Sequence, residues 1–375
     1  MGVRLRAQAL LGALALAALA TPLRAARAAT QVEPVARLSL EGGYDSNALY
    51  DGRGAERGRV SPDVGLHLFD HLWSATATYG GDLLSYGGAT GNLWNHRGAF
   101  QLDATPSHRL ALRATARGAY AYDPLGLAYA GVFRTGRQSA LLVQAGGRGD
   151  YALSERIGLG VALAERVVRF QDRTGGAMHA PSVEALWHSD ERLSVGGAYA
   201  FTIFQDFQPT GNHLAFAHGL RARLRYLVTR FVEVDAFAGP ALWSGPQGQA
   251  VVPEAGAELR LSTRVWDLRL SGGHQLGIGS TAAPGLVNSV EVGVVRRFGL
   301  RFDLRGDGGV WQSGEVPSGR NSTLGYAVGG EAGWHLTRSL RVAVAAAHLA
   351  RLDDTSSTLA RTTVGLRFGW ELRNR

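Results

Sequence analysis

The sequence predicts an all-β protein: a transmembrane antiparallel up-and-down β-barrel of about 18 strands, with 16 as the other possible count. Apolar and polar residues alternate in segments of roughly 10–14 residues, which is the period of a strand with one apolar face. Short connections alternate with longer ones along the chain. No segment reaches the ~18 consecutive apolar residues of a membrane helix. Strands exposed to lipid must close into a barrel, because an open edge would leave backbone groups unpaired in hydrocarbon.

The connections set the expected strand count. Short connections are expected near residues 69–71, 105–108, 154–156, 190–192, 228–230, 262–264, 298–300 and 337–339. Longer ones are expected near residues 46–59, 86–92, 123–137, 172–179, 205–212, 244–250, 278–286, 311–322 and 351–357. An even strand count places both termini and the short turns in the periplasm, and the longer loops outside.

Aromatic residues of the apolar face gather near segment ends, as expected of the girdles at two bilayer interfaces. They are Tyr44, Trp73, Tyr120, Trp187, Tyr226, Trp266, Trp334 and Trp370. A large soluble β-sandwich or propeller is the alternative. It would explain a signal peptide, but not the alternation of long and short connections, the regular hairpin length or the aromatic residues at the segment ends.

The hairpin at residues 213–238 shows the two faces most clearly. Leucine, alanine and tyrosine alternate with Arg221, Arg223 and Arg225, and after a short break the apolar residues alternate with Glu233 and Asp235. A three-residue turn predicts the cross-strand pairs Arg225–Glu233, Arg223–Asp235 and Leu224–Val234. The hairpin would then have one apolar face and one charged, self-paired face.

Residues 1–29 are predicted to be a signal peptide, and residues 30–375 a single barrel domain. Arg4 and Arg6 precede an apolar run at residues 9–20, and Ala26-Arg27-Ala28 fits a cleavage site. Removing this segment takes away four Arg and no acid, so the formal charge of +8 falls to about +4. The chain has no Cys, which excludes disulfides and cysteine lipidation.

The inward face is expected to line an aqueous channel, since a barrel of this strand number is too wide for side chains to fill. The candidate pore-lining residues are Arg113, Arg117, Arg221, Arg223, Arg225, Glu233, Asp235, Arg269, Arg301 and Arg305. Such a face could steer an anionic substrate. It could instead form cross-strand ion pairs that fix the register and keep the lumen wet, and this second interpretation is favoured.

The apolar loop at residues 123–137 is a candidate constriction, which could fold into the pore or pack over the rim. Its candidate residues are Leu125, Tyr129, Phe133 and Arg134. No metal site or cofactor is predicted: Asp45-Ser46-Asn47 lacks the Gly and terminal Glu of a calcium loop, and a strand-end turn explains it better. No enzyme is predicted either, because no spaced Ser, His and Asp set forms a triad.

The end of the first strand carries a family resemblance. Residues 38–47 finish in Gly43-Tyr44-Asp45-Ser46-Asn47, and this first-strand motif resembles a group of outer-membrane β-barrel porins linked to surface-polysaccharide export. Cellulose and poly-N-acetylglucosamine porins carry a helical-repeat periplasmic domain before the barrel, whereas here residues 30–34 lead directly into the first strand. The resemblance therefore implies that a separate periplasmic export protein would deliver a polymer.

The resulting prediction is an outer-membrane channel of a Gram-negative bacterium for hydrophilic solutes, with polysaccharide export as the leading function. The alternatives are a general diffusion porin for small solutes and a structural surface barrel without transport. The expected partners are outer-membrane lipid, the barrel-assembly machinery and the periplasmic export protein. No nucleic-acid partner is expected, because the chain is predicted to be secreted. Its 39 basic residues are all Arg, and this composition is not read as a nucleic-acid function.

Overall fold

A computed structural model describes residues 30–48, 52–87, 92–122, 138–246, 248–279, 283–316, 322–353 and 359–372. The predicted signal peptide and the candidate constriction residues Leu125, Tyr129, Phe133 and Arg134 lie outside the described residues. No helix in the described part of the chain is long and apolar enough to cross a membrane.

The described chain forms 18 strands. They are β1 (Gln31–Asp45), β2 (Ala55–Phe69), β3 (Trp73–Tyr86), β4 (Leu93–Ser107), β5 (Leu110–Ala121), β6 (Ala140–Ala152), β7 (Ile157–Phe170), β8 (Gly175–His188), β9 (Leu193–Gln208), β10 (Gly211–Thr229), β11 (Val232–Gly245), β12 (Gly248–Ser262), β13 (Trp266–Ile278), β14 (Pro284–Phe298), β15 (Phe302–Gly314), β16 (Thr323–His335), β17 (Leu340–Asp353) and β18 (Leu359–Glu371).

The strands close into one barrel. Each pairs antiparallel with its neighbours in the chain, and β1 also pairs with β18, from Arg37 opposite Glu371 to Asp45 opposite Thr363. The prediction of an up-and-down barrel of 18 strands is confirmed. This pairing leaves no open sheet edge at the seam. A sheet exposed to lipid requires such closure, because unpaired backbone groups are costly in hydrocarbon.

The eight predicted short connections lie at one end of the barrel, called here the turn end, together with Gln31 and Glu371. Seven of these turns are closed by a side-chain oxygen that accepts a backbone N–H two residues further on, at Asp70, Ser107, Ser154, Asp190, Thr229, Thr263 and Thr337. Asp190 accepts from Arg192 and Leu193 at 2.7 and 2.8 Å. These two backbone donors hold the pKa of the Asp190 carboxyl below its ordinary value.

The opposite end, called here the loop end, carries the nine other connections at the predicted places, but three of them are short. The connections near 172–179, 205–212 and 244–250 are largely strand, and β9 and β10 are separated by only residues 209–210. The predicted loops were too long there because Gly175, Gly211 and Gly248 begin the next strands with φ of 146°, 148° and 115°. Glycine tolerates this backbone, so the chain reverses within a few residues.

The register predicted for the hairpin at 213–238 is wrong by two residues. Arg225 lies opposite Asp235, and Leu224 lies opposite Ala236. An irregularity between Leu227 and Thr229 extends β10 beyond the predicted turn. A shift of two preserves the side-chain parity, so the two faces remain as predicted.

The outer face of the barrel is apolar and the inner face is charged. Large apolar side chains that alternate with the charged ones are exposed on the outside, as Leu220 is at 63%. All eight predicted girdle aromatics lie on this outer face. Five of the Trp residues mark its turn end: Trp73, Trp187, Trp266, Trp334 and Trp370. An apolar outer band with an aromatic rim is the form of an integral membrane barrel.

Candidate functional site

The candidate functional site is the lumen, and its inner wall carries chains of ion pairs. One chain runs across β6, β8, β10 and β11. Arg223 contacts Glu184 at 3.2 Å and Asp235 at 2.7 Å, and Arg225 contacts Asp235 at 3.3 Å and Glu233 at 3.7 Å. Arg148 also pairs with Glu184. Because the strands place these residues on one face, Glu184 and Asp235 are each shared by two guanidinium groups.

A second chain of ion pairs crosses the seam where the barrel closes. Glu41 on β1 accepts from Arg57 at 2.6 Å and from Arg367 at 3.0 Å. Arg367 also pairs with Glu331, which in turn pairs with Arg341. Arg341 then reaches Asp303 on β15 at 2.6 Å. The charged wall is therefore continuous from β2 through β1 and β18 to β15.

Most predicted pore-lining residues lie on this wall and are paired. Arg113 contacts Asp103, Arg221 contacts Glu254, Arg269 contacts Glu258 and Arg305 contacts Asp303, at 2.7 to 3.0 Å. Arg117 also faces inward, and no described carboxylate lies within ion-pair distance of it. Arg301 was assigned to the wall, but it lies in the turn before β15 because that strand begins only at Phe302.

This pairing favours the second interpretation of the charged face. A guanidinium paired with a carboxylate presents little net electrostatic field to a passing ion. A row of unpaired Arg side chains would instead attract anions. Side chains such as Arg113 and Arg269 are well exposed, at 69% and 64%, so the turn-end half of the lumen is open to water.

The loop-end half of the lumen is different, because an apolar cluster occupies part of it. Its buried members come from β5 to β7, from β9 to β13 and from the loop after β15: Ala121, Ala140, Leu142, Val168, Phe170, Phe204, Ala215, Ala217, Ala241, Trp243, Val252, Leu276, Ile278 and Val316. The rings of Phe204 and Trp243 lie 5.3 Å apart. Such contacts between distant strands require that part of the chain leave the wall.

The wall opens on the β12 side of the loop-end tip of β13 and β14, residues 275–279 and 283–287, called here the lumen hairpin, while β14 stays paired with β15 as far as Leu286 opposite Gly314. The pairing of β12 with β13 ends at Ala255 opposite His274, although β12 continues to Gly248. The pairing of β13 with β14 continues to Ile278 opposite Pro284. The hairpin thus stays intact while it separates from β12.

The lumen hairpin bends inward across the pore. Cα atoms of β8 lie within 8 Å of Cα atoms in both β13 and β14. Five strand spacings separate β8 from β13 along the wall, which is on the order of 20 Å. By alternation Leu276 and Ile278 belong to the outward face, yet they are 8% and 3% exposed. Their side of the hairpin therefore packs against the inner surface of the wall.

Glu254 holds the lumen hairpin at its base. This residue of β12 is only 3% exposed, and its Oε1 accepts the backbone N–H of Leu276 at 3.1 Å. Its Oε2 accepts from Nε and Nη2 of Arg221 at 2.9 and 2.8 Å. The guanidinium of Arg221 also lies over the ring of Phe237, 4.9 Å from its centroid. A buried carboxylate thus replaces the missing ladder partner of Leu276 and has its own charge balanced.

The sequence reasoning missed this hairpin, although some local signals exist. Pro253 lies just beyond the last β12–β13 pair, and proline cannot donate to a ladder. At Gly285 a Cβ would meet the carbonyl oxygen of Gly314 at 2.5 Å, so β14 and β15 approach closely at the bend. These residues allow the bend, but neither shows its direction.

The first-strand motif closes the loop end of the seam. Asp45 is fully buried, and its two carboxylate oxygens share the single Nε–H of Arg361, at 2.7 and 2.8 Å. The Tyr86 hydroxyl accepts from Nη2 of the same guanidinium at 2.9 Å. Ser46 accepts the backbone N–H of Thr362 at 2.9 Å. The Asn47 side chain donates to the Ala360 carbonyl and accepts from Gly52 N–H. Tyr44 points outward and is 54% exposed. Three of the five motif residues thus join the end of β1 to β18.

Within the described residues, no group of three or more His, Asp or Glu side chains could hold a metal ion. The Asp45 and Asn47 oxygens are used by the seam, as the expected strand-end turn requires.

The chain's similarity to known proteins is to solved structures of low sequence identity. No family model matches the chain. No curated protein matches its sequence. Among solved structures, it is similar to OpdQ of Pseudomonas aeruginosa, with 9% identity over 91% of this chain and 97% of that one and a TM-score of 0.44. OccK2 (OpdF) of Pseudomonas aeruginosa, solved with glucuronate, has 11% identity over 91% of this chain and 99% of that one, with a TM-score of 0.43. A bacterial polysaccharide outer-membrane secretin has 12% identity over 91% of this chain and 98% of that one, with a TM-score of 0.33.

Proposed function

We propose that the protein is an outer-membrane channel for small hydrophilic solutes, with its turn end in the periplasm and its loop end outside. The observation that supports this most directly is the closed barrel wall with its charged inner face, which encloses a lumen that the hairpin narrows. An even number of strands with short turns at one end is typical of outer-membrane barrels in this orientation.

The inner wall supports passage of water and polar solutes. Exposed Arg113 and Arg269 line the turn-end half, and a lumen of this width stays hydrated. Because the charges are mostly paired, the wall favours neither sign of ion strongly. A channel that takes polar solutes of either charge fits this wall better than one dedicated to anions.

The lumen hairpin supports an upper limit on solute size. It fills part of the loop-end half with apolar side chains from Leu276 and Ile278, so solutes must pass beside it. A polymer would need a wider exit or a displaced hairpin. Polysaccharide export with a periplasmic partner therefore remains a prediction from the first-strand motif, and nothing in the described residues favours it over small solutes.

Liposome swelling tests this proposal. The purified barrel is reconstituted into liposomes, and swelling is followed in sugars of increasing size, from pentoses to tetrasaccharides. Swelling that is fast for pentoses and falls steeply with size is the expected result. Heat-unfolded protein serves as the control. If swelling does not exceed that of the control, the channel function is contradicted, and the structural surface barrel without transport is favoured. Swelling that is independent of sugar size would contradict the hairpin as a size limit.

Surface polysaccharide provides the second arm of the test. A deletion strain that loses surface polysaccharide, while its permeability to small sugars stays unchanged, would favour export over diffusion. Normal polysaccharide in that strain, with slower uptake of small sugars, is the result expected here.

A further inference from the structure

The connections at the turn end divide the rim of the barrel into two halves of different charge. The turns after β10, β12, β14 and β16 are residues 230–231, 263–265, 299–301 and 336–339. They contain four Arg and no Asp or Glu, and the four are Arg230, Arg264, Arg301 and Arg338. These turns, called here the basic arc, are neighbours on the rim because β10 to β17 pair in chain order.

The other four turns carry no such excess of positive charge. Residues 70–72, 108–109, 153–156 and 189–192 contain three Arg and four acids: Arg109, Arg156 and Arg192 beside Asp70, Glu155, Asp190 and Glu191. A general attraction of the turns to anionic membrane headgroups would place cations all around the rim. The one-sided distribution instead indicates a partner that contacts one half of the rim.

The guanidinium groups of the basic arc are available to a partner. All four are exposed, and within the described ranges no carboxylate lies at ion-pair distance from any of them. Arg296 and Arg297, near the end of β14, add two exposed cations beside the third turn, and they too have no ion pair with a described residue. Six guanidinium groups thus lie on about half of the rim.

The acids nearest to these turns face the lumen rather than the rim. Glu233 on β11 pairs with Arg225 at 3.7 Å. Asp303 on β15 is only 4% exposed and pairs with Arg341 at 2.6 Å. Asp267 lies on the inner face of β13 by alternation with the outward Trp266. The positive field of the basic arc is therefore not cancelled on the side that faces away from the membrane.

Each turn of the basic arc also exposes one large apolar side chain close to its Arg. The exposed fractions are 42% for Phe231, 44% for Val265, 93% for Leu300 and 57% for Leu336. Arginine and exposed apolar side chains together are typical of protein interfaces, whereas a free anion or a sugar polymer would have no use for Leu300. Neighbouring turns are two strand spacings apart, so the arc spans roughly 30 Å, enough for one protein partner.

We propose that the basic arc is a docking surface for an acidic periplasmic protein. Carboxylates of the partner pair with the four guanidinium groups, and apolar side chains of the partner pack on Leu300 and Leu336. The proposal rests on the orientation proposed above, with the turn end in the periplasm. A partner held on one half of the rim leaves the other half of the mouth open, so that solutes still enter the lumen beside it.

Peptide binding to the barrel in phosphatidylcholine nanodiscs tests the surface itself. Two labelled peptides of equal length and charge, one of Glu and Leu and one of Glu and Ser, are titrated by fluorescence anisotropy. The Glu/Leu peptide should bind several-fold more tightly, and L300S/L336S should remove that difference. R230Q/R264Q/R301Q/R338Q should bind both peptides about tenfold more weakly, as the loss of four exposed charge contacts implies. R109Q/R156Q/R192Q, on the other half of the rim, is the matched control and should bind as the wild type does.

Two results of these titrations would overturn the proposal: wild-type binding by the fourfold Arg variant, and an equal loss in the control variant. Heat-modifiable gel mobility verifies folding. If the fourfold variant fails to fold, R230Q/R264Q and R301Q/R338Q replace it, each expected to show a partial loss.

Photo-crosslinking in cells identifies the occupant. A photoreactive residue at position 300 should give a protein adduct whose yield falls in R230Q/R264Q/R338Q, whereas position 153, on the other half, should give none. Adducts with phospholipid alone would assign the arc to the membrane surface and overturn the proposal. Leu300→Cys would be the only thiol of the chain and should stay unlabelled by an impermeant maleimide in intact cells. Labelling there would place the turn end outside, which refutes the orientation separately from the channel function.

Discussion

Oε1 of Glu254 accepts the backbone N–H of Leu276 at 3.1 Å, at the level where β12 and β13 have ceased to pair. A side chain from one strand thus satisfies a backbone donor that the barrel wall would otherwise satisfy. This contact defines where the wall opens and where the lumen hairpin begins. The width of the pore should depend on it.

Glu254→Ala should raise the single-channel conductance in planar bilayers, because Leu276 loses its acceptor and Arg221 loses its carboxylate. Glu254→Gln keeps an oxygen for Leu276 and should give a smaller rise. Glu258→Gln is the matched control, since Glu258 lies on the inner face of the same strand and pairs with Arg260 and Arg269 near the turn end. A folded Glu254→Ala variant with wild-type conductance would show that this contact does not restrain the hairpin.

The seam pair Asp45–Arg361 should be among the strongest stabilising contacts in the barrel. The side chains are 0% and 2% exposed, and removing one member of a buried pair costs about 3–5 kcal/mol. Asp45→Asn should lower the free energy of unfolding by that order, measured by urea titration with tryptophan fluorescence. Asp103→Asn, which leaves the exposed Arg113, should cost at most about 1 kcal/mol. An equal loss of unfolding free energy in the two variants would show that the buried seam pair stabilises the barrel no more than an exposed pair does.

Ion selectivity should respond to Arg117. Wild-type channels should discriminate only weakly between potassium and chloride in reversal-potential measurements, because the wall charges are paired. Arg117→Glu places an unpaired carboxylate at an exposed position of the inner wall and should shift the preference toward cations. Arg117→Gln should shift it less. Strong anion preference in the wild type would contradict the paired wall and support the steering interpretation.

The membrane position of β10 predicts a depth-dependent cost of charge. Ala222 lies midway between His218 and Tyr226 on the outer face. Ala222→Arg should destabilise the inserted barrel by about 2–4 kcal/mol, and Tyr226→Arg by about 0–1 kcal/mol for the charge itself. Ala222→Leu and Tyr226→Leu are the controls for size and for loss of the ring. Folding titrations into vesicles would measure all four, and the reverse order for the two Arg variants would place the bilayer elsewhere.

Much of the fold could be predicted from alternation and turns. A period of two assigns residues to faces whatever the exact pairing, so Leu224 and Arg223 were placed on the correct sides despite a register error of two. The turn residues marked the reversals, because side chains such as Asp70 close them locally. Loop lengths failed at Gly211 because a single positive φ replaces several residues of loop.

The site depended on information that alternation does not carry. Parity placed Leu276 on the outer face, and only the inward bend of the hairpin brings it to Val252 and Trp243. The partner of Asp45 lies 316 residues away in the chain, so the role of the first-strand motif required the closed barrel. Arg117 and Arg113 have the same pattern in sequence, and only the position of Asp103 across the hairpin distinguishes them.

If the lumen hairpin narrows the pore, removal of the hairpin should widen it. Residues 276–286 are replaced by a short Gly-Ser connection, and single-channel conductance is measured beside polymer exclusion with neutral polymers of graded size. The expected result is a several-fold higher conductance and a larger exclusion limit in a barrel that still folds. A folded deletion variant with wild-type conductance and an unchanged exclusion limit would show that the lumen hairpin does not narrow the pore.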